Sequence, residues 1–148
     1  MTGQHYRFEQ VWQVPRPLGP AFEILRDVDG YDRWWPQVRQ VERLGPDEVR
    51  MTMRSGLPIA LRVVLTRQVE DPGSGVLRVG LTGDLTGWAM WQLTWQGETT
   101  TAARWSQECD LTHPRLARLP AATRPAFELN HLHMMRAGEA GLRKHLQV

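Results

Sequence analysis

The stretch that decides the fold runs from Phe8 to Pro36 and reads FEQVWQVPRPLGPAFEILRDVDGYDRWWP. Its first residues alternate between apolar and polar side chains, a pattern typical of a β-strand with one buried face. Three prolines follow, at Pro15, Pro17 and Pro20. Proline is tolerated in the first turn of a helix, where its missing N–H would have no helical partner, so we expect a short helix to begin here.

The second half of this stretch predicts a break and a further helical turn. Phe22 and Leu25 belong to an apolar stripe, which residues 27–30 interrupt with aspartate and glycine. Three aromatic residues then follow at near-helical spacing: Tyr31, Trp34 and Trp35. The stretch therefore predicts one strand followed by two short helices.

After Pro36 the chain is rich in predicted β-strands. Apolar and polar residues alternate in six further segments, which are separated by turns containing glycine, proline and aspartate. Residues 83–87 are interpreted as a hairpin loop, with Trp88 exposed just past it. The six predicted strands are Val38–Leu44, Val49–Ser55, Ile59–Glu70, Val76–Leu81, Leu85–Trp95 and Thr100–Leu111.

The last part of the chain changes to a helical period. A long helix is predicted from about Thr123, which could cap it, to Leu146, with Pro125 in its first turn. Gly138 and Gly141 each cost about 1 kcal/mol inside a helix, which indicates either close approach to another backbone or tolerance near the helix end. Seven antiparallel strands with segregated helices give an α+β fold.

Composition excludes several classes of function. The formal net charge is +2, and the basic residues are scattered arginines with a single lysine, so neither a nucleic-acid surface nor a polybasic membrane patch is expected. Cys109 is the only cysteine, which rules out an internal disulfide. No apolar run is long enough for a signal peptide or a transmembrane helix. We therefore expect one cytoplasmic domain over residues 1–148, with no cofactor.

The order of motifs resembles the START/Bet v 1-like (SRPBCC) superfamily, which includes polyketide cyclases and lipid-transfer proteins. The likeness covers nearly the whole chain, although its motifs are diffuse. It implies a helix-grip fold, in which a curved seven-stranded antiparallel sheet wraps around a long C-terminal helix and leaves a cavity. No catalytic residue carries over from it. The similar positions are Phe8, Val14–Pro15, Phe22, Leu25, Asp27, Tyr31–Pro36, Gly87, Trp91–Leu93, Gly97–Thr101, Trp105, Phe127, Gly138 and Leu142.

The predicted ligand-binding residues are those whose positions in the strands and the long helix would face each other. Methionine and tryptophan adapt well to irregular apolar ligands. The same alternation is equally compatible with a solid core, because it predicts burial rather than empty space. The predicted set is Met51, Met53, Leu61, Val63, Trp91, Trp105, Gln107, Phe127, His131, Met134 and Met135.

Two polar residues of this set carry the chemical alternatives. Gln107 would orient a ligand carbonyl or hydroxyl, or would pair with a neighbour such as Asn130. His131 would act as an acid or base, or would be a satisfied buried histidine. His131 and His133 point about 200° apart on a helix and cannot share a metal ion, so no metal site is expected.

Three functions follow as expectations. The first is binding or transport of a small hydrophobic ligand, such as a lipid, an isoprenoid or a polyketide-like molecule, in an internal cavity. The second is a polyketide cyclase, aromatase or dehydratase that uses His131 and Gln107. The third is a protein-partner-binding module that uses Trp34, Trp35 or Trp88 on its surface. The sequence leaves open whether the protein is an enzyme.

Overall fold

The computed structural model of the chain describes residues 5–56 and 59–147. Seven strands form one sheet in the order β1-β7-β6-β5-β4-β3-β2, and every neighbouring pair is antiparallel. The predicted fold, a curved antiparallel sheet with a long C-terminal helix, is confirmed. The strands are β1 (His5–Val14), β2 (Val38–Gly45), β3 (Glu48–Met53), β4 (Leu61–Asp71), β5 (Val76–Gly83), β6 (Leu85–Gly97) and β7 (Thr100–Leu111).

The helical segments lie in the two places that the sequence indicates, between β1 and β2 and after β7. α1 (Leu18–Arg26) and a 3₁₀ segment (Val28–Arg33) follow β1, and α2 (Arg124–His145) follows β7 after two short 3₁₀ turns. Thr123 occupies the predicted N-cap position of α2, but its side chain makes no capping hydrogen bond, and its hydroxyl donates to the carbonyl oxygen of Pro120 at 2.6 Å instead. Within the part of the chain that the structure describes, no helix has both the length and the apolar character needed to cross a bilayer.

The strand order determines where the helices lie. β1 and β2 occupy opposite edges of the sheet, so α1 and the 3₁₀ segment carry the chain from one edge to the other. Polar contacts hold α2 to Trp35, which follows the 3₁₀ segment, and to β1. The indole N–H of Trp35 donates to the carbonyl oxygen of Met134 at 2.9 Å, and the backbone N–H of Gln13 donates to the carboxylate of Glu139 at 2.7 Å.

The predicted hairpin connection at residues 83–87 joins β5 to β6, whose mutual pairing ends at Leu81 and Gly87. Its residues do not form an irregular loop, however, because Gly83 pairs with β4 and Leu85 pairs with β7. β5 and β6 are separated by Asp84 alone, whose carboxylate accepts the backbone N–H of Arg62 at 2.8 Å. This hydrogen bond ties the turn at Asp84 to β4. Trp88 is half-buried rather than exposed, because the guanidinium of Arg78 covers its ring at 4.4 Å.

The tryptophans proposed as a partner-binding surface are mostly internal. Trp34 and Trp35 are 7% and 4% exposed, and their rings pack against Trp12 and Tyr31. The hydrogen bond from Trp35 to Met134 satisfies the one polar atom of that indole, which permits its burial. The prediction of Trp34 and Trp35 as surface anchors is therefore wrong.

Two glycines of α2 explain how the helix fits against the aromatic layer, by which we mean the packed rings of Trp12, Tyr31, Trp34 and Trp35. A Cβ atom on Gly138 would lie 2.7 Å from the indole nitrogen of Trp35 and 2.8 Å from the ring of Trp12. A Cβ atom on Gly141 would overlap the carbonyl oxygen of Trp34. The predicted close approach to another backbone therefore holds for Gly141, whereas Gly138 approaches two tryptophan side chains.

Candidate functional site

The candidate site is a cavity between the inner face of the sheet and α2, which we call the main cavity. Its volume is about 130 Å³. Strands β1 and β3–β7 supply most of its wall, and α2 closes it with Phe127, His131, Met134 and Met135. The wall is almost wholly apolar, as expected of a site that recognises hydrophobic molecules.

Ten of the eleven predicted ligand-binding residues line the main cavity. Their alternation along the strands and their three- and four-residue steps on α2 therefore bring them to one space. They are Met51, Met53, Leu61, Val63, Trp105, Gln107, Phe127, His131, Met134 and Met135.

Trp91 is the one predicted residue that does not line the main cavity. Its indole N–H donates to the hydroxyl of Tyr31 at 3.2 Å, and its ring lies between those of Trp12 and Trp105, with centroids 4.7 and 4.8 Å away. Alternation places Trp91 on the correct face of β6. Its position along the sheet, however, puts it inside the aromatic layer under α1.

Gln107 lies at the centre of a polar cluster in the cavity wall. The indole nitrogen of Trp105 can only donate, so the atom of Gln107 that it meets at 3.1 Å is the amide oxygen. The same oxygen lies 3.0 Å from Nε2 of His131, and the amide nitrogen donates to Sγ of Cys109 at 3.3 Å. Gln107 therefore pairs with three side chains, and the predicted partner Asn130 is not among them.

This arrangement fixes the tautomer of His131. Because the oxygen of Gln107 accepts, Nε2 of His131 carries the proton and Nδ1 carries a lone pair. No described residue donates to Nδ1, which is buried. The ring is 8% exposed and stacks on Phe8 with centroids 3.6 Å apart. Burial lowers the pKa of His131 to about 4, so the imidazole is neutral at pH 7.

A second polar atom without a partner lies in the same wall. Oγ of Ser55 is buried and has no hydrogen-bond partner among the described residues. A Cβ atom on the following residue, Gly56, would lie 3.2 Å from the side-chain oxygen of Asn130. This contact places the Ser55 segment beside α2, on which His131 lies. The main cavity thus offers two free polar atoms in an apolar wall.

Sequence reasoning missed several residues of the wall. Phe8 and Tyr6 line the cavity, and they share the inward parity of β1 with Trp12 and Val14, so a signal was present. Ser55 also shares the parity of Met51 and Met53 in the predicted strand Val49–Ser55, although it lies past the end of β3.

A second cavity of about 100 Å³ adjoins the first. It lies between α1, the 3₁₀ segment and strands β2–β7, and its wall includes Trp91 and Leu77. Charged side chains at its edge form ion pairs, among them Arg26 with Glu70 at 3.1 Å. Arg67 also lies at this edge and pairs with Glu70 at 3.2 Å.

Other chemistries find little support in the described residues. No group of three or more histidine, cysteine or acidic side chains could hold a metal ion within residues 5–56 and 59–147. His133 lies on the exposed side of α2, away from His131. Burial raises the pKa of the Cys109 thiol, which keeps it protonated and therefore a weak nucleophile at neutral pH.

Comparison with solved structures establishes the fold. The chain is similar to the Zhui aromatase/cyclase from Streptomyces sp. R1128, with 17% identity over 96% of this chain and 93% of that one and a TM-score of 0.78. A START superfamily protein from Mycobacterium smegmatis shares 14% identity over 97% and 100% of the two chains, with a TM-score of 0.77. Ara h 8.0201 shares 14% identity over 94% and 98%, with a TM-score of 0.62.

Sequence comparison supplies the family. No curated protein matches the chain. The family model described as polyketide cyclase/dehydrase and lipid transport matches residues 5–147, almost the whole length. The resemblance inferred from the sequence is therefore confirmed, and the chain belongs to this family.

Proposed function

We propose that the protein binds a compact, neutral, hydrophobic ligand in the main cavity. The observation that carries this proposal is an apolar space whose wall contains a buried hydrogen-bond acceptor, Nδ1 of His131, with no described partner. Leaving such an atom unpaired costs about 1–3 kcal/mol, so a ligand with a hydroxyl or similar donor would recover that energy. Membership of a family that includes lipid transport supports the same role.

The volume of the cavity limits the ligand. Sites for drug-sized molecules usually measure about 300 Å³ or more, whereas a cavity of about 150 Å³ can hold benzene. The main cavity, at about 130 Å³, therefore suits a single-ring molecule. A ligand that buries about 200 Å² of apolar surface gains about 5 kcal/mol before the cost of association.

Titration calorimetry with benzene, phenol, toluene and p-cresol tests this function. We expect saturable 1:1 binding, with the phenols tighter than the hydrocarbons of equal size because they can donate to Nδ1. A panel without any binder would contradict the proposal.

A cavity-filling variant and a matched control make this test specific to the site. Val63→Phe places a ring in the cavity wall and should weaken binding at least tenfold. Val64→Phe adds the same ring to the next residue of β4, which does not line the cavity, and should bind as the wild type does. Melting temperatures would confirm that both variants fold, and Leu61→Phe replaces Val63→Phe if the latter does not. Equal binding by the filled and control variants would contradict the location of the site.

Catalysis is the second candidate, and the state of His131 favours it. A neutral imidazole with a free Nδ1 can take a proton from a substrate held in the cavity, as a cyclisation followed by loss of water requires. The family description includes cyclases and dehydrases. With a pKa of about 4, His131 is unprotonated at pH 7 and so begins the reaction as a base rather than an acid.

Turnover of a short poly-β-ketone thioester, followed by mass spectrometry for the loss of water, tests the catalytic candidate. We expect His131→Gln to lower the rate by at least 100-fold, within the range of general base catalysis. His133→Gln, on the exposed side of the same helix, should leave the rate unchanged. No loss of water with the wild-type protein, or equal rates in both variants, would exclude His131 as a base.

A further inference from the structure

The main and second cavities share part of their walls, which we call the partition. Four described residues line both spaces: Tyr31, Leu65, Ala89 and Trp105. The two cavities together extend from α2 at one side of the molecule to the ion-paired edge near α1 at the other. The side chains of this partition decide whether a ligand meets one short space or one long one, so the residue of interest is the one whose replacement would join the cavities without unfolding the protein.

Tyr31 cannot easily move. Its side chain is 4% exposed, its hydroxyl donates to the carbonyl oxygen of Leu25 at 2.5 Å, and the same hydroxyl accepts the indole N–H of Trp91. Displacing it would leave three buried polar groups without partners. Ala89 has no side chain that could open a passage. Tyr31 and Ala89 therefore form the fixed part of the partition.

Trp105 is the largest residue of the partition, and its replacement would cost fewer hydrogen bonds than that of Tyr31. Its indole is only partly buried and makes one hydrogen bond, to the amide oxygen of Gln107 at 3.1 Å. That oxygen retains the hydrogen bond from His131 if Trp105 leaves. The ring contact with Trp91, at 4.8 Å between centroids, is the other aromatic interaction it would lose. Its displacement thus breaks one hydrogen bond and leaves no acceptor unpaired.

We propose that Trp105 sets the upper length of the ligand by separating the two cavities, an inference that rests on the proposed binding function. Each cavity alone is too small for a drug-sized molecule, at about 130 and about 100 Å³. Joined, and with the space that the indole now fills, they approach the roughly 300 Å³ of such sites. With Trp105 in place the protein selects single-ring ligands, and with a smaller residue there it accepts elongated ones.

A series of n-alkylbenzenes, from benzene to octylbenzene, tests this inference by calorimetry. For the wild type we expect affinity to rise over the shortest members and then to fall, because the chain meets Trp105. For Trp105→Leu we expect affinity to keep rising, with octylbenzene bound at least tenfold more tightly than by the wild type. Trp95→Leu makes the same substitution at a side chain that is 66% exposed, and it should keep the wild-type limit.

The outcomes separate this inference from the proposed function. If the wild type binds the short members but Trp105→Leu keeps the same limit, the partition role fails and the binding function stands. The role also fails if the wild type binds octylbenzene more tightly than toluene. If no alkylbenzene binds to any folded variant, both proposals fail. Trp105→Phe, which keeps an aromatic ring of smaller size, replaces Trp105→Leu if that variant unfolds, and it should raise the limit by a smaller amount.

Discussion

Gly141→Ala is expected to lower the free energy of unfolding by about 3 kcal/mol or more. The added methyl group would overlap the carbonyl oxygen of Trp34 and would lie 3.4 Å from Cδ of Pro36. A backbone atom cannot rotate away as a flexible side chain can, so α2 would have to shift from the aromatic layer, and overpacking of this kind costs about 1–3 kcal/mol or more. Urea denaturation followed by tryptophan fluorescence measures the change.

Gly19→Ala is the matched control, because Gly19 lies in a helix and a Cβ atom there would meet nothing within 4 Å. The gain in helical preference is opposed by the constraint that Pro20 places on the preceding residue, so we expect a change of less than about 1 kcal/mol. A loss at Gly141 no larger than that at Gly19 would show that α2 does not approach Trp34 as closely as described.

The stability of the protein is expected to fall by about 3 kcal/mol between pH 6.5 and pH 4 through His131 alone. An unfolded histidine has a pKa near 6.5, whereas burial holds that of folded His131 at about 4. Between these values the unfolded chain binds a proton that the folded protein does not, so the free energy of unfolding decreases as the pH falls. Below about pH 4 both states are protonated and the loss levels off. Urea denaturation at several pH values measures it.

Comparison between variants isolates this contribution from that of the carboxylates. His131→Gln keeps a donor for the oxygen of Gln107 but does not titrate, so its stability should depend less on pH in this range. His133→Gln removes an exposed histidine from the same helix and should retain the wild-type dependence. Identical pH profiles for the wild type and His131→Gln would show that His131 is not a buried neutral group.

Local patterns in the sequence were sufficient for an antiparallel sheet with a long helix, whereas the helix-grip arrangement followed from the family resemblance. Alternation along the strands showed which side of each is buried, and the helical steps after Pro125 identified α2. The same patterns could not give positions along the sheet. Trp91 and Trp105 share a face of the sheet, yet only Trp105 reaches the main cavity, because Trp91 lies beneath α1. That difference depends on how the helical layer crosses the sheet.

The chemistry of the site was only partly accessible for a related reason. Gln107 could be recognised as an inward polar residue that needs partners, but its pairing with His131 depends on the spacing between β7 and α2. The free Nδ1 of His131 and the partition at Trp105 are consequences of packing across elements distant in sequence. Likewise, alternation can predict a buried face but cannot show whether empty space of about 130 Å³ remains behind it.

The pairing of β1 with β7 also governs how the chain can assemble. The contact between His5 and Asp110 spans 105 residues, and the whole length of β1 depends on a partner that is synthesised long after it. During translation the backbone of β1 therefore stays unpaired until β7 has been synthesised. Closing so long a loop is also entropically costly. Strands β2–β7, which are consecutive antiparallel neighbours, can pair with one another before that. We therefore expect the interior to be enclosed late, once β1 has paired with β7 and α2 has covered the cavity.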